Sequence, residues 1–282
     1  MKFATLYTAE GLQPALQDGD VWKLLDAPDV KSVLGQPVSS LKFRQASAIA
    51  ASAAKFAAPI SNPGKVFCVG MNYHSHAAEL GMPIPKYPNL WAKFTESMIG
   101  PSDDIHLPLP EESTSGDYEV ELVIVIGRTC RRISEAEALG AVAGFCVGND
   151  SSVRDWQVRT REIMQGKAWE HMTPTGPWLT TLDELAEPSA LKMSVHVNGE
   201  IRQDSSTSDM IFSPAWLVAY ISTFITLQPG DLILTGTPSG VGFTRKPPVF
   251  LRAGDVVRCE IEGLGIIENR CSLPKETLDE KI

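Results

Sequence analysis

A chain of 282 residues, 43% hydrophobic and 21% charged, suits one large domain or a large and a small one. Its formal charge of −9 at pH 7 argues against nucleic acid or an anionic membrane as the main partner. No apolar stretch approaches the length of a membrane span, and the N-terminus lacks the apolar core of a signal peptide. Cys68, Cys130, Cys146, Cys259 and Cys271 are odd in number and never spaced C-x-x-C. They read as reduced core thiols of a cytoplasmic protein, not as a disulfide frame or a zinc site.

Residues 1–60 read as a small N-terminal domain of α/β character. Segments 3–7 and 21–25 are expected to pair as short strands around Asp18-Gly19. A stretch rich in Ala and Ser, 46–58, leads into Ile60-Ser-Asn-Pro-Gly64, a strong loop signal, and the domain boundary is placed there. Residues 61–282 are dominated by strands, predicted at 66–69, 90–94, 119–126 and 142–147. Further strands fall at 193–197 (turning at Asn198-Gly199), 232–234, 256–262 and 266–269. Helices are few. Ser134-Glu-Ala-Glu137 is a capping box, a helix is expected over 151–164, and Ser213-Pro214 opens another over 215–225. Many strands, few helices and hairpin turns suggest a closed, mostly-β core decorated with helices.

Glu119 and Glu121 lie two apart in a run that otherwise reads as buried strand, so both carboxylates face the same way. Such like charges resist desolvation unless something positive sits between them. A second apolar run, 142–149, ends in Asp150. Three carboxylates converging at strand positions make a hard, all-oxygen site for Mg²⁺, Mn²⁺ or Ca²⁺. The solvated face of an antiparallel sheet is the competing reading. Against it, the opposite face carries Tyr118, Val120 and Leu122, and the acids' own face continues as Val123 and Val125.

Other candidates surround these acids. On a helical turn His76 and Glu79 meet at i, i+3, where a carboxylate-oriented imidazole becomes a general base; a plain surface pair stays open. His74 and His76 as an H-x-H metal pair rank lower. Arg154, one turn beyond Asp150, either clamps a substrate carboxylate or pairs with Asp150. Lys93, in an apolar strand, is an edge gatekeeper or a charge balance for the acids; Lys167 stands just past the 151–164 helix. Gly236-Thr-Pro-Ser-Gly-Val-Gly242 lacks the Gly-Lys-Ser/Thr of a phosphate loop. It either places Thr237 and backbone amides at a pocket or simply connects. Signatures of serine hydrolases, zinc proteases and dinucleotide oxidoreductases do not occur.

Taken in order, several of these segments resemble the fumarylacetoacetate hydrolase family over residues 61–272. They are Val69-Gly-Met-Asn-Tyr73 with His76 and Glu79, Lys93, Glu119-Val-Glu121, Asp150 with Arg154-Asp-Trp-Gln157, Lys167, Thr175-Gly-Pro-Trp178 and the 236–242 loop. The resemblance implies a mainly β fold with α, a mixed β-sandwich roll plus a small N-terminal domain, and a homodimer. It implies Mg²⁺ or Mn²⁺ on Glu119, Glu121 and Asp150, and short 2-oxo acids as substrates, some from aromatic catabolism. The expected reaction is hydrolysis of a carbon–carbon bond in an acylpyruvate-type substrate. There His76 and Glu79, on a mobile lid, activate water, and Lys167 is also catalytic. Decarboxylation of oxaloacetate or isomerisation of a 2-hydroxy-diene-dioate is the alternative on the same site. Tyr73, Arg154, Gln157, Thr237 and, more weakly, Lys93 are the implied substrate contacts. Where the eukaryotic type has a further acidic ligand before the lid tyrosine, this chain has Met71-Asn72. It therefore resembles the shorter, broad subgroup. The segment Ala168-Trp-Glu-His-Met-Thr173 also departs from the commoner Lys-x-Phe-Asp pattern.

Overall fold

The computed structural model describes residues 1–185 and 189–274, without the side chains of Ala46 and Ser47. The parts of the expected catalytic segment at 186–188 and 275–282 lie outside the described residues. The N-terminal part is a meander of β1 (Lys2–Thr8), β2 (Gly11–Asp18), β3 (Val21–Leu25) and β4 (Phe43–Ala50), with β5 (Phe56–Ala57) added to β1. The strands expected to pair directly are separated by β2. It pairs with β1 from Phe3↔Leu16 to Thr8↔Gly11, and with β3 from Ala15↔Leu24 to Asp18↔Val21. Pro14 hid this strand, because a proline reads against a laddered position. It is tolerated just past Ala15↔Leu24, the last pair with β3. The described helical turns before residue 60 are short 3₁₀ segments.

The remainder holds β6 (Val66–Gly70), α1 (His74–Glu79), β7 (Asn89–Lys93), β8 (Met98–Ile99), β9 (Ile105–His106) and β10 (Gly116–Asp117). Then come β11 (Val120–Ile126), α2 (Glu135–Ala138), β12 (Val142–Asn149), β13 (Ser152–Val153), α3 (Arg154–Gln157) and α4 (Met164–Lys167). The last are β14 (Thr173–Thr181), β15 (Lys192–Val197), β16 (Glu200–Ser206), α5 (Pro214–Phe224), β17 (Leu232–Leu234), β18 (Val256–Ile261) and β19 (Gly265–Ser272).

One large sheet runs β4-β3-β2-β1-β14-β12-β11-β17-β6-β7 and a second runs β16-β15-β18-β19-β9. Most neighbours are antiparallel, but β6 with β17 and β9 with β19 are parallel, so the sheets are mixed. The molecule is thus mainly β with short helices, a mixed β roll as expected. The expectation of a closed core is corrected: both sheets are open, and the large one ends at β4 and β7. The N-terminal meander joins that sheet through β1 and β14 at Lys2↔Thr180 and Phe3↔Leu179.

Strand β11 explains the layering. All seven of its residues are buried. Val120, Leu122, Ile124 and Ile126 face a core shared with α5 and the second sheet. Val123 and Val125 face another core with Leu16, Leu25, Val33 and Leu234. Period-two alternation therefore feeds two cores from one strand, each aliphatic side chain contributing roughly 1.5–3 kcal/mol of burial. The Asn198-Gly199 hairpin forms with both turn residues at positive φ (53° and 81°). Ser134 closes its capping box with Glu137, and the Ser213 hydroxyl accepts from the Trp216 amide at 3.1 Å to start α5.

The helix expected over 151–164 does not form. Its first residues extend instead, because β13 pairs with β10 at Gly116↔Val153 and Asp117↔Ser152. Only α3 follows, and α4 then folds back on it. A Cβ at Gly166 would lie 2.5 Å from Gln157, so only glycine permits that approach. The reversal is what carries Lys167 to the acids.

Candidate active site

The register of β11 with β12, Val120↔Asn149 and Glu121↔Gly148, brings Asp150 beside Glu119. The Asp150 amide donates to the Glu119 carbonyl at 2.9 Å. Oxygens of Glu119, Glu121 and Asp150 then lie within 4.8 Å of one another, and all three residues are buried.

Three buried cations converge on them. Lys167 Nζ lies 2.5 Å from Glu119 Oε2 and 3.0 Å from Asp150 Oδ2. Lys93 Nζ sits 2.7 Å from Asp150 Oδ1 and donates to Thr173 Oγ1 at 2.7 Å. Arg154 does not reach Asp150, the pairing entertained from sequence. Because β13 extends the chain before α3, its guanidinium turns to Asp117 (Nε to Oδ2, 2.8 Å) and Glu119 (Nη2 to Oε1, 2.7 Å). Its Nη1 donates to Gln157 Oε1 at 2.9 Å. Glu121 alone of the three acids forms no ion pair among the described residues. It accepts from the Gly236 amide at 2.7 Å. Gly236 sits at φ +96°, and a Cβ there would come within 2.9 Å of Asn72 Cβ, so the loop needs glycine to present that amide.

The electrostatics follow from these partners. Burial pushes the Glu119 carboxyl up, but Lys167 and Arg154 outweigh it and hold it down at about 2. Burial, then Asp150 and Glu119, push Glu121 well above the usual carboxylate range. Burial works against charge on Lys167, yet Asp150 and Glu119 raise its pKa and keep the ammonium.

Among the described residues, four buried acids (Asp117, Glu119, Glu121, Asp150) face three buried cations (Lys93, Arg154, Lys167), so Glu121 has no buried cation to balance its ionised form. Three hard carboxylates within 4.8 Å of one another, one of them without a cationic partner, fit a divalent cation such as Mg²⁺ or Mn²⁺.

His76 Nδ1 meets Glu79 Oε2 at 2.9 Å on α1. Glu79 Oε1 accepts from the Gly240 amide at 2.8 Å and the Thr244 hydroxyl at 2.7 Å. Burial alone would raise Glu79, but the hydrogen bonds from His76, Thr244 and Gly240 lower its pKa. A cavity of about 240 Å³ is lined by His76, Glu119, Glu121, Arg154, Lys167 and Thr237, with Gln157 beside them and Trp91 and Phe243 on the apolar side. A larger hollow, about 760 Å³ around Leu107, Tyr118 and Leu251, holds none of the three acids.

Some expected residues sit elsewhere. Tyr73, expected among the substrate contacts, is fully buried with its hydroxyl on Met193 Sδ at 3.1 Å and does not line the cavity. Lys93 stands behind the cavity on Asp150, and Glu79 stands behind His76. Asn72, in the place of the extra acid of the eukaryotic type, spends its amide on Phe212 and on the Thr235 carbonyl. Sequence reasoning passed over Asp117, although 117, 119 and 121 share one alternation. It also missed Gln203, which accepts from the Val120 amide at 3.0 Å and donates to Thr237 Oγ1 at 2.9 Å. Nothing near Gln203 in sequence signals that role. The five cysteines are buried and free.

The family described as fumarylacetoacetate (FAA) hydrolase C-terminal matches residues 65–272. Oxaloacetate tautomerase Fahd2a, mitochondrial, of Rattus norvegicus is 49% identical over 216 residues, covering 76% of this chain and 68% of that protein. The crystal structure of 2-hydroxyhepta-2,4-diene-1,7-dioate isomerase from Mycobacterium marinum superposes with a TM-score of 0.81 at 31% identity, covering 98% of this chain and 100% of that one. That of 5-carboxymethyl-2-hydroxymuconate delta-isomerase from Mycobacterium smegmatis gives 0.81 at 32% identity, covering 97% and 100%. No described helix is long and apolar enough to cross a membrane.

Proposed function

We propose, on the premise that this chain belongs to the fumarylacetoacetate hydrolase family, that it is a divalent-metal-dependent enzyme shifting a proton on a short 2-oxo acid. The reaction is keto–enol tautomerisation of oxaloacetate or the related isomerisation of a 2-hydroxy-diene-dioate. The carrying observation is that His76, held by Glu79 at 2.9 Å, opens on the same cavity as Glu119 and Glu121. The relatives named as tautomerase and isomerase favour this alternative over the carbon–carbon hydrolysis first expected from the sequence.

Glu119, Glu121 and Asp150 would hold Mg²⁺ or Mn²⁺. A cation held there supplies Lewis-acid polarisation of a 2-oxo carbonyl. Glu79 faces Nδ1 of His76, so the neutral ring keeps its proton on Nδ1 and leaves Nε2 as the base. Nε2 takes a proton from the carbon next to the carbonyl. The electron pair moves to the carbonyl oxygen, and that oxygen is reprotonated to give the enol. The reverse sequence restores the ketone, so no atom is gained or lost. Lys167 and Arg154 line the cavity and would offer charged N–H donors to a substrate carboxylate, and Gln157 and Thr237 offer neutral hydrogen bonds. The proposal keeps a small N-terminal domain over residues 1–60 and a catalytic domain from 61 onward, a reading that a family match beginning at 65 supports. The homodimer belongs to the same proposal, as does a reducing compartment such as the cytoplasm, which the buried free thiols suit.

The test is turnover by chelated protein restored with Mg²⁺ or Mn²⁺. Decay of the oxaloacetate enol absorbance reports tautomerisation, and pyruvate release from oxaloacetate or acetylpyruvate reports decarboxylation or hydrolysis. Metal-dependent enol decay without pyruvate supports the proposal. Pyruvate from acetylpyruvate at a higher rate would instead make the enzyme a hydrolase.

A further inference from the structure

The His76–Glu79 pair has few anchors of its own. It sits on a six-residue helix whose N-cap, Tyr73, makes no side-chain cap bond. The orientation of Glu79 comes from across the cavity rim, from the loop after β17. The Thr244 hydroxyl lies 2.7 Å from Glu79 Oε1 and 3.0 Å from the Val241 carbonyl. It has one proton, and the nearer, charged acceptor takes it. With the Gly240 amide on the same oxygen at 2.8 Å, Glu79 Oε2 is left to address His76.

The turn that carries Thr244, Gly242–Thr244, is itself pinned. The buried Asp117 accepts from the Gly242 amide at 2.8 Å and from the Phe243 amide at 3.0 Å. Its Oδ2 also accepts Arg154 Nε at 2.8 Å, and Arg154 continues to Glu119. A Cβ at Gly242 would lie 2.0 Å from the Val249 carbonyl, so only glycine fits at the start of the turn. The path from imidazole to acid cluster is therefore a continuous run of polar contacts through one hydrogen-bonded turn.

We propose that Thr244 is a positioning residue for His76, acting through Glu79 from a turn that Asp117 fixes to the carboxylate cluster. This rests on the proton-transfer reading above. Thr244 touches neither substrate nor reacting atoms in this scheme; it sets the direction in which Glu79 presents its second oxygen. Misorientation of a base by about 1 Å costs on the order of 10²-fold.

The full-length chain with Thr244→Val, and separately Thr244→Ser, decides the matter, with Thr244→Ala in reserve should the valine disturb folding. Two readouts are taken: kcat and KM for oxaloacetate enol decay with Mg²⁺, and the ring ¹⁵N shifts of His76 in metal-free protein, assigned by their loss in His76→Ala. The expected result for Thr244→Val is a kcat lower by roughly 10- to 100-fold at nearly unchanged KM. The His76 nitrogens should move away from the Nδ1–H form, and Thr244→Ser should restore both. Wild-type kcat and wild-type His76 shifts in Thr244→Val overturn the proposal. Should wild type turn over none of the 2-oxo acids, the functional reading falls, and the His76 shifts still decide the positioning role.

Discussion

The carboxylate cluster and the His76–Glu79 pair line one cavity but are built on opposite principles. The cluster hangs from β11 and β12, strands buried on both faces, and its acids are braced by three buried cations. The pair rides α1, six residues long, which docks through Glu79 on Thr244 and Gly240 and through the Ser75 amide donating to Asp209. Charges that must gather a cation are thus fixed by core packing before anything binds. Under the proposed reaction, the base that must meet substrate would sit on a short element held by few contacts, where local opening costs least.

Breaking the cluster should have the largest effect. Glu121→Ala and Asp150→Ala should each abolish Mg²⁺ or Mn²⁺ binding by calorimetry and lower turnover by at least ~10³-fold. The two should differ in stability. Asp150→Ala strands Lys93, whose side chain is 0% exposed, without its carboxylate, at a cost of roughly 3–5 kcal/mol. Glu121→Ala removes an acid that has no cationic partner, so the metal-free protein should unfold at the wild-type temperature or above. Equal destabilisation by both would contradict the charge pattern described here.

Breaking the pair should cost less and leave the cluster intact. His76→Ala is expected to lower turnover by about 10²- to 10⁴-fold. Metal binding should survive, because the imidazole pairs with Glu79 and is no member of the cluster. A variant that loses metal binding along with activity would merge the two regions into one.

The smallest expected effect separates their responses to acid. The folded-state pKa of Glu79 is lowered from its ordinary 4.5, so the docking it supports is complete above that value and is lost as pH falls below it. Amide protection over residues 74–79 in the metal-free protein should decline in that range. Glu79→Gln should remove the dependence, since the amide does not titrate. Exchange over residues 74–79 that is independent of pH there would show that α1 is held by its apolar contacts.

Much of this site was legible because its signals are local. Glu119 and Glu121 share a face through period-two alternation alone, and His76 meets Glu79 through helical spacing. The Ser134 capping box, the Asn198-Gly199 turn and the Ser213-Pro214 start are equally short-range, and each formed. What failed to read was masked or long-range. Pro14 concealed β2, and the prolines and glycine of β14 (Thr-Pro-Thr-Gly-Pro-Trp-Leu-Thr-Thr) concealed a strand central to the large sheet. The 151–164 segment has helical residues, but pairing of β13 with β10 outweighed local propensity.

The amino-acid order by itself determined which residues carry charge, which runs are apolar and which side chains alternate, since neighbouring residues decide those. Only the tertiary structure decided that Arg154 answers Asp117 and Glu119, that Lys93 stands behind Asp150, and that Tyr73 points away from the cavity. Those partners lie 35 to 120 residues apart or depend on a two-residue strand, and strand register, not sequence spacing, sets which buried charges meet.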